Sequence, residues 1–138
     1  MAGFTFSHRI SGADPTIKDV TFKDTETISK GDMVNLETGK ADLGAAADTN
    51  FLGAALETVA GTTNVTKIKV ITDADAVYRV TDANARAIGA TLDITGATGA
   101  QGVTTSSGKE FVVVADSGAS DPTLVRFNVG KHHENVAL

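Results

Sequence analysis

Few side chains in this chain could do chemistry. Its histidines are His8, His132 and His133, and it has no cysteine. A His-His pair supplies two imidazoles, but neighbours on a strand point to opposite faces, so a metal would need further ligands from elsewhere. A solvated polar tail accounts for the pair more simply. The run DADAVYRVTDAN gathers Asp73, Asp75 and Asp82. Loops rich in oxygen hold calcium through about six to eight ligands. This spacing matches no calcium loop, and Asp is a common turn residue. Asp116 and Asp121 flank SGAS; a carboxylate pair there would suit acid–base work, and a turn explains them better. GATGAQG, residues 96–102, has glycine at every third place. It lacks the strand-to-helix setting of a phosphate loop and reads as a flexible loop. No serine sits in a nucleophile elbow. The chain is therefore read as no enzyme, with no catalytic residue, no metal and no cofactor.

The elements that would position these groups are strands. KGDMVNLETGK, residues 30–40, alternates from Met33 to Leu36 and ends in Thr38-Gly39, a strand entering a tight turn. VTKIKVIT sets Ile68 and Val70 against Lys67 and Lys69, and AVYRVT sets Ala76, Tyr78 and Val80 against Arg79. LVRFNV groups Val125, Phe127 and Val129 opposite Arg126 and Asn128. Each pattern marks a half-buried antiparallel strand. EFVVVA, residues 110–115, lacks alternation and fits a central strand covered on both sides. TDAD, residues 72–75, is expected to be a hairpin loop. TDANARAIG, residues 81–89, has cap-like Thr81 and Asp82 and a stop at Gly89, which predicts one short helix. Residues 41–60 are Ala-rich, but Gly44 and Gly53 weaken a helix; a loop and then a strand near Phe51 to Glu57 is expected.

There is an internal echo. Gly31, Val34-Asn35-Leu36, Gly39 and Phe51-Leu52 run parallel to Gly89, Leu92-Asp93-Ile94, Gly96 and Phe111-Val112. Both blocks read as a turn, a short strand, a Gly turn, a small-residue loop and a longer strand. Two similar hairpins closing one barrel would produce this, and so would the general resemblance of short Gly-bounded strands.

Composition narrows the classes. A net charge of −5 with scattered Lys and Arg argues against a nucleic-acid surface, which needs clustered cations. No stretch approaches the ~20 apolar residues of a membrane span, and MAGFTFSHRI has no apolar core of signal-peptide length. The expected place is the cytosol, unless the chain travels within a larger particle; the Asn64-Val65-Thr66 sequon then reads as chance. Residues 1–16 are expected to form an N-terminal arm, 17–130 a β-domain and 131–138 a C-terminal tail. In the arm, Phe4, Phe6 and Ile10 alternate with polar residues. Phe4, Phe6, His8, Arg9 and Ile10 are the candidate contacts to a partner or neighbouring subunit. The other reading makes residues 4–10 the first strand of the sheet. For the tail, the alternative to an arm is a frayed end.

The runs TISKGDMVNLETGKADL, FLGAALETVAG, TKIKVIT, GATLDITGATGA and EFVVVA resemble the decoration (cement) proteins of tailed-phage heads. The likeness extends over residues 26–130 and is one of style and strand order. Gly31, Asp32, Val34 and Gly39 fill the places of the strand entered through G-D-x-V and left through a Gly turn. Leu52, Gly53, Ala54 and Leu56 resemble the strand that follows. The two ends depart from the family in length and character. The resemblance implies a compact antiparallel β-barrel or tulip-like domain, often a homotrimer, on the outer face of an icosahedral shell. Its partner would be the major capsid protein at three-fold and quasi-three-fold positions, and its role to brace the shell against DNA pressure. It would reside on the virion exterior, and in host cytoplasm before assembly. Net negative charge suits an outward position, away from packaged DNA. The alternatives are another virion part, such as a tail-tube or head-completion protein, and a carbohydrate-binding β-module. Against the last stands the scarcity of aromatic residues, with no Trp.

Overall fold

The computed structural model describes residues 3–23, 25–61, 66–105, 108–119 and 121–133. Asn64 and Val65 of the sequon and residues 134–138 of the expected tail lie outside these. In chain order the strands are β1 (Phe4–Arg9), β2 (Ile17–Thr21), β3 (Thr27–Ile28), β4 (Met33–Glu37), β5 (Lys40–Leu43), β6 (Phe51–Ala54), β7 (Val59–Ala60), β8 (Lys67–Ile71), β9 (Ala76–Val80), β10 (Thr91–Thr95), β11 (Gly102–Thr104), β12 (Phe111–Val113) and β13 (Thr123–Phe127). The fold is mainly β and antiparallel, as the period-two patterns require.

One sheet has six strands in the order β1-β9-β13-β12-β10-β11. Facing it is a second layer, made of β5-β4-β6 and the pair β2-β8, joined where Ala55 bridges Val70. The pair β3-β7 lies apart in its own small sheet. The arrangement is an open sandwich, which corrects the expected barrel: β1 and β11 remain edges of a linear strand order.

The main core lies between the two layers. Phe127 is its hub, with Phe51 and Phe111 each 5.3 Å away and Tyr78 edge-on at 6.0 Å. Such pairs contribute about 0.5–1.5 kcal/mol each beyond area burial. A second cluster, holding Phe22, Ile28, Val34, Leu52, Ile68 and Val70, packs on the far side of β4, β6 and β8. Strand β6 is thus covered on both faces: Phe51 and Ala54 enter the first core, Leu52 the second. The strand expected to be buried on both sides was β12, but there Val112 is half-exposed between buried Phe111 and Val113. The Ala/Gly-rich FLGA fits the doubly covered place because it is thin. A Cβ on Gly53 would collide with the Ile71 carbonyl and the Tyr78 hydroxyl.

Other expectations meet specific outcomes. Val34–Glu37 pairs with Leu43–Lys40 across Thr38 (φ 51) and Gly39 (φ 78). Both turn residues are left-handed, as a tight hairpin of right-twisted strands demands. TDAD is no hairpin: β8 pairs with β2, whereas β9 pairs with β1 and β13, so the loop carries the chain between layers. No helix forms over residues 81–89. The Asp82 carboxylate accepts the Asn84 amide and the Arg86 guanidinium, and Arg86 exchanges two backbone bonds with Ser117; these take the groups a helix would use. Val129 is 89% exposed, because β13 ends at Phe127 before the turn at Gly130.

The internal echo is structural. β4 pairs with β5 and β6, and β10 pairs with β11 and β12: the same three-strand unit twice, with Phe51 and Phe111 at 6.3 Å from each other. Gly31 (φ 91) and Gly89 (φ 86) enter the two units through the same left-handed turn. The central polar residues also match. Asn35 accepts the Asn50 amide, and Asp93 accepts those of Gly108 and Lys109.

Candidate interaction surfaces

Residues 4–9 form an edge strand of the six-stranded sheet. Phe4 pairs with Val80, Thr5 with Arg79 and Phe6 with Tyr78; after a bulge, His8 pairs with Val77 and Arg9 with Ala76. Of the two readings of this stretch, the first strand of the sheet is what the chain adopts, and the free arm over residues 1–16 is corrected for residues 4–9. Phe4 is 3% exposed, with its ring 5.2 Å from that of Phe111, so it belongs to the chain's own core. Phe6 is half-buried, edge-on to Tyr78 at 6.3 Å. His8 is exposed beside the Ser7 hydroxyl, and Ile10 is 54% exposed.

Arg9 is held by two of the clustered aspartates. Its Nε donates to Asp75 at 2.8 Å, and a terminal nitrogen lies 3.4 Å from Asp73. Asp75 also accepts the Ser11 amide, and Asp73 accepts the Thr16 amide at 2.6 Å. The cluster straps residues 9–16 onto the 72–75 loop. Burial would push the Asp75 carboxyl up, but the Arg9 guanidinium and the Ser11 donors outweigh it and hold it at about 2. Asp82 stands apart with Arg86. Asp116 accepts the Ile88 amide from the 81–89 loop, 28 residues away, and Asp121 accepts the Gly118 amide within its own turn.

The expected flexible loop at residues 96–102 is a latch. Buried Asp32 accepts the Thr98 hydroxyl at 2.6 Å and the Gly99 amide at 2.9 Å. Gln101, 1% exposed, accepts the Met33 amide and donates to the Gly44 carbonyl. The start of the tail is likewise built in. His132 is fully buried, donates from Nε2 to the Leu52 carbonyl at 2.9 Å and lies 5.5 Å from the Phe127 ring. The His132 and His133 rings lie 4.6 Å apart, tilted by 43°, and among the described residues no group of three acidic, His or Cys side chains is placed for a metal.

Where the two layers part beside β1, there is a cleft of about 230 Å3 lined by Gly3, Phe4, Thr5, Phe6, Lys30, Gly31, Ala54, Ala55, Leu56 and Ile71. The Phe4 amide donates away from β9 to the Gly31 carbonyl at 2.8 Å. Strand alternation turns the Phe6 backbone the same way, toward the cleft. The apolar cleft therefore runs along an open strand edge. Its walls come from segments far apart in sequence, and no local pattern announces it.

No protein-family model matches the chain, and no curated protein matches it. Among solved structures the chain is similar to the head fiber gp8.5 N base of bacteriophage phi29, with a TM-score of 0.50 and 14% identity. The likeness covers 82% of this chain and 95% of that one. At this identity the two have a chain path in common.

Proposed function

We propose that the protein is a structural part of a tailed-phage head, specifically a decoration protein on the outer face of the icosahedral shell. It binds the major capsid protein at three-fold and quasi-three-fold positions and, as a homotrimer, braces neighbouring capsid subunits against the pressure of packaged DNA. It catalyses no reaction and takes no cofactor. The observation that carries this reading is the fold likeness to a head-mounted phage protein, along almost the whole of that protein's chain. The same likeness favours the head over a tail tube. The polar groups also support it: Asp73, Asp75, Asp82, Asp32 and Gln101 are each committed to holding a loop in place. A glycan platform would stack sugars on exposed rings, but Tyr78 is fully buried, as are Phe22, Phe51 and Phe111.

A domain this small presents limited area, and stable pairings usually bury more than ~1,000 Å2. Three copies joined together gain through effective concentration. The test is electron microscopy of undecorated heads of the encoding phage, mixed with the purified protein. Added density at the three-fold positions is expected. Heads that stay bare, or density confined to the tail, would refute the reading.

A further inference from the structure

We propose that the outer face of the six-stranded sheet, centred on Arg79 and Arg126, is the docking face for an acidic surface of the head shell protein. This rests on the head reading given above. The strand register builds the face. Thr5, Arg79 and Leu124 form one cross-strand row, and Arg126, Val112 and Thr91 form the next. Their neighbours along the strands (Tyr78, Val80, Val125, Phe127, Val113) point into the core, so alternation sends these rows outward.

The two arginines differ from the others in the described chain. Arg9 and Arg86 are engaged by carboxylates, whereas Arg79 and Arg126 have neither an ion pair nor a side-chain hydrogen bond among the described residues. Neither row contains a carboxylate. Around the guanidinium groups the surface is aliphatic: Leu124 and Val112 are half-buried with no strand packed over them. Beside them, Val112, Arg126, Phe127, Asn128 and Val129 line a depression of about 260 Å3.

This chemistry selects a protein partner. A guanidinium is weakly hydrated and matches a carboxylate through two parallel bonds, and arginine set among apolar groups is typical of interface centres. A nucleic acid is a poor fit. Two cations make no phosphate-tracking stripe, and the chain's net charge of −5 repels a polyanion at long range. The same field orients the molecule: this cationic face, on an otherwise acidic domain, turns toward an acidic shell surface.

The experiment compares binding to undecorated heads by the unaltered protein, by Arg79→Glu/Arg126→Glu and by Arg79→Gln/Arg126→Gln. Lys18→Glu/Lys67→Glu serves as a control that makes the same charge change on exposed residues of β2 and β8. Circular dichroism establishes folding, and the Gln pair stands in if the Glu pair does not fold. Loss of about tenfold or more in affinity for the arginine pairs, with the control within about twofold, is expected. Equal binding by the arginine variants and the unaltered protein would overturn the docking face and leave the head reading standing. Equal loss in the control would reduce the effect to general electrostatics and overturn it too. A change in sedimentation from oligomer to monomer in the arginine variants would make the face a contact between copies, against the proposal. Failure of the unaltered protein to bind any head removes the head reading and this inference together.

Discussion

Replacing Glu110 with Gln should make the protein more stable at pH 8, with the gain fading as the pH falls toward 4. Glu110 is fully buried. Its Oε1 accepts the Ile94 amide at 3.0 Å, and its Oε2 finds no group at hydrogen-bonding geometry among the described residues. A Cβ on Gly108 would touch both that oxygen and the Asp93 carboxylate, so the two acids converge there. Burial pushes the Glu110 carboxyl above its ordinary 4.5, and the Asp93 charge adds to this; the Ile94 and Ala47 amides and Lys131 oppose it. The folded state therefore holds this proton more tightly than the unfolded chain. Stability is full below pH 4.5 and is lost as pH rises through the folded value, by about 1.4 kcal/mol for each unit separating the two. Gln keeps the acceptor for Ile94, has no charge to desolvate, and can donate toward Asp93. Urea denaturation followed by far-ultraviolet circular dichroism at pH 4 to 8 measures the difference. A gap between the two proteins that does not change with pH would refute the assignment.

Gly53→Ala should cost about 3 kcal/mol in urea denaturation, since the new methyl meets the Ile71 carbonyl and the Tyr78 hydroxyl and neither can retreat; a loss below about 1 kcal/mol would show that β6 can shift. Phe4→Ala should cost about 3–5 kcal/mol as a core truncation, and deletion of residues 1–10 should abolish cooperative unfolding; a stable, folded deletion variant would mean that β1 is dispensable. Arg9→Met should destabilise the protein at pH 6, with the deficit shrinking as pH falls from 4 to 2. Asp75, held at about 2 instead of its ordinary 3.8, contributes stability above 3.8 that vanishes as it protonates. A deficit that stays constant during acid titration would count against that pairing.

Elements with strong local signals were legible in the sequence. Alternation located β4, β8 and β9, and Thr38-Gly39 located the hairpin, because both depend on residues within a few places of one another. The paired units were visible as an echo of Gly-bounded strands for the same reason. Burial on both faces does not follow from hydrophobicity alone: β6 qualifies by being small enough for two cores, which only the opposing Ile71 and Tyr78 reveal. The 72–75 loop changes layers because β8 finds β2 and β9 finds β1, pairings that no short window contains. The contact residues proposed for positions 4–10 turn out to be partly core. Phe4 and Phe6 alternate as an arm would, and an edge strand has the same signature. Arg79 and Arg126 were visible as polar positions opposite an apolar face. That neither has a partner among the described residues becomes visible only once the described carboxylates have been placed.

The duplicated three-strand units also bear on the order in which the chain folds. Each closes over a short stretch of sequence, β4 to β6 and β10 to β12, so its loop-closure entropy is small and it forms early. Strand β1 must find β9 across half the chain, past the whole first unit, and is expected to zip on last. Until it does, the edge of β9 stands open, and a β1 from a neighbouring copy has the same sequence to offer. High local concentration, as on the proposed shell surface, would turn that late step into an opportunity for strand exchange between molecules.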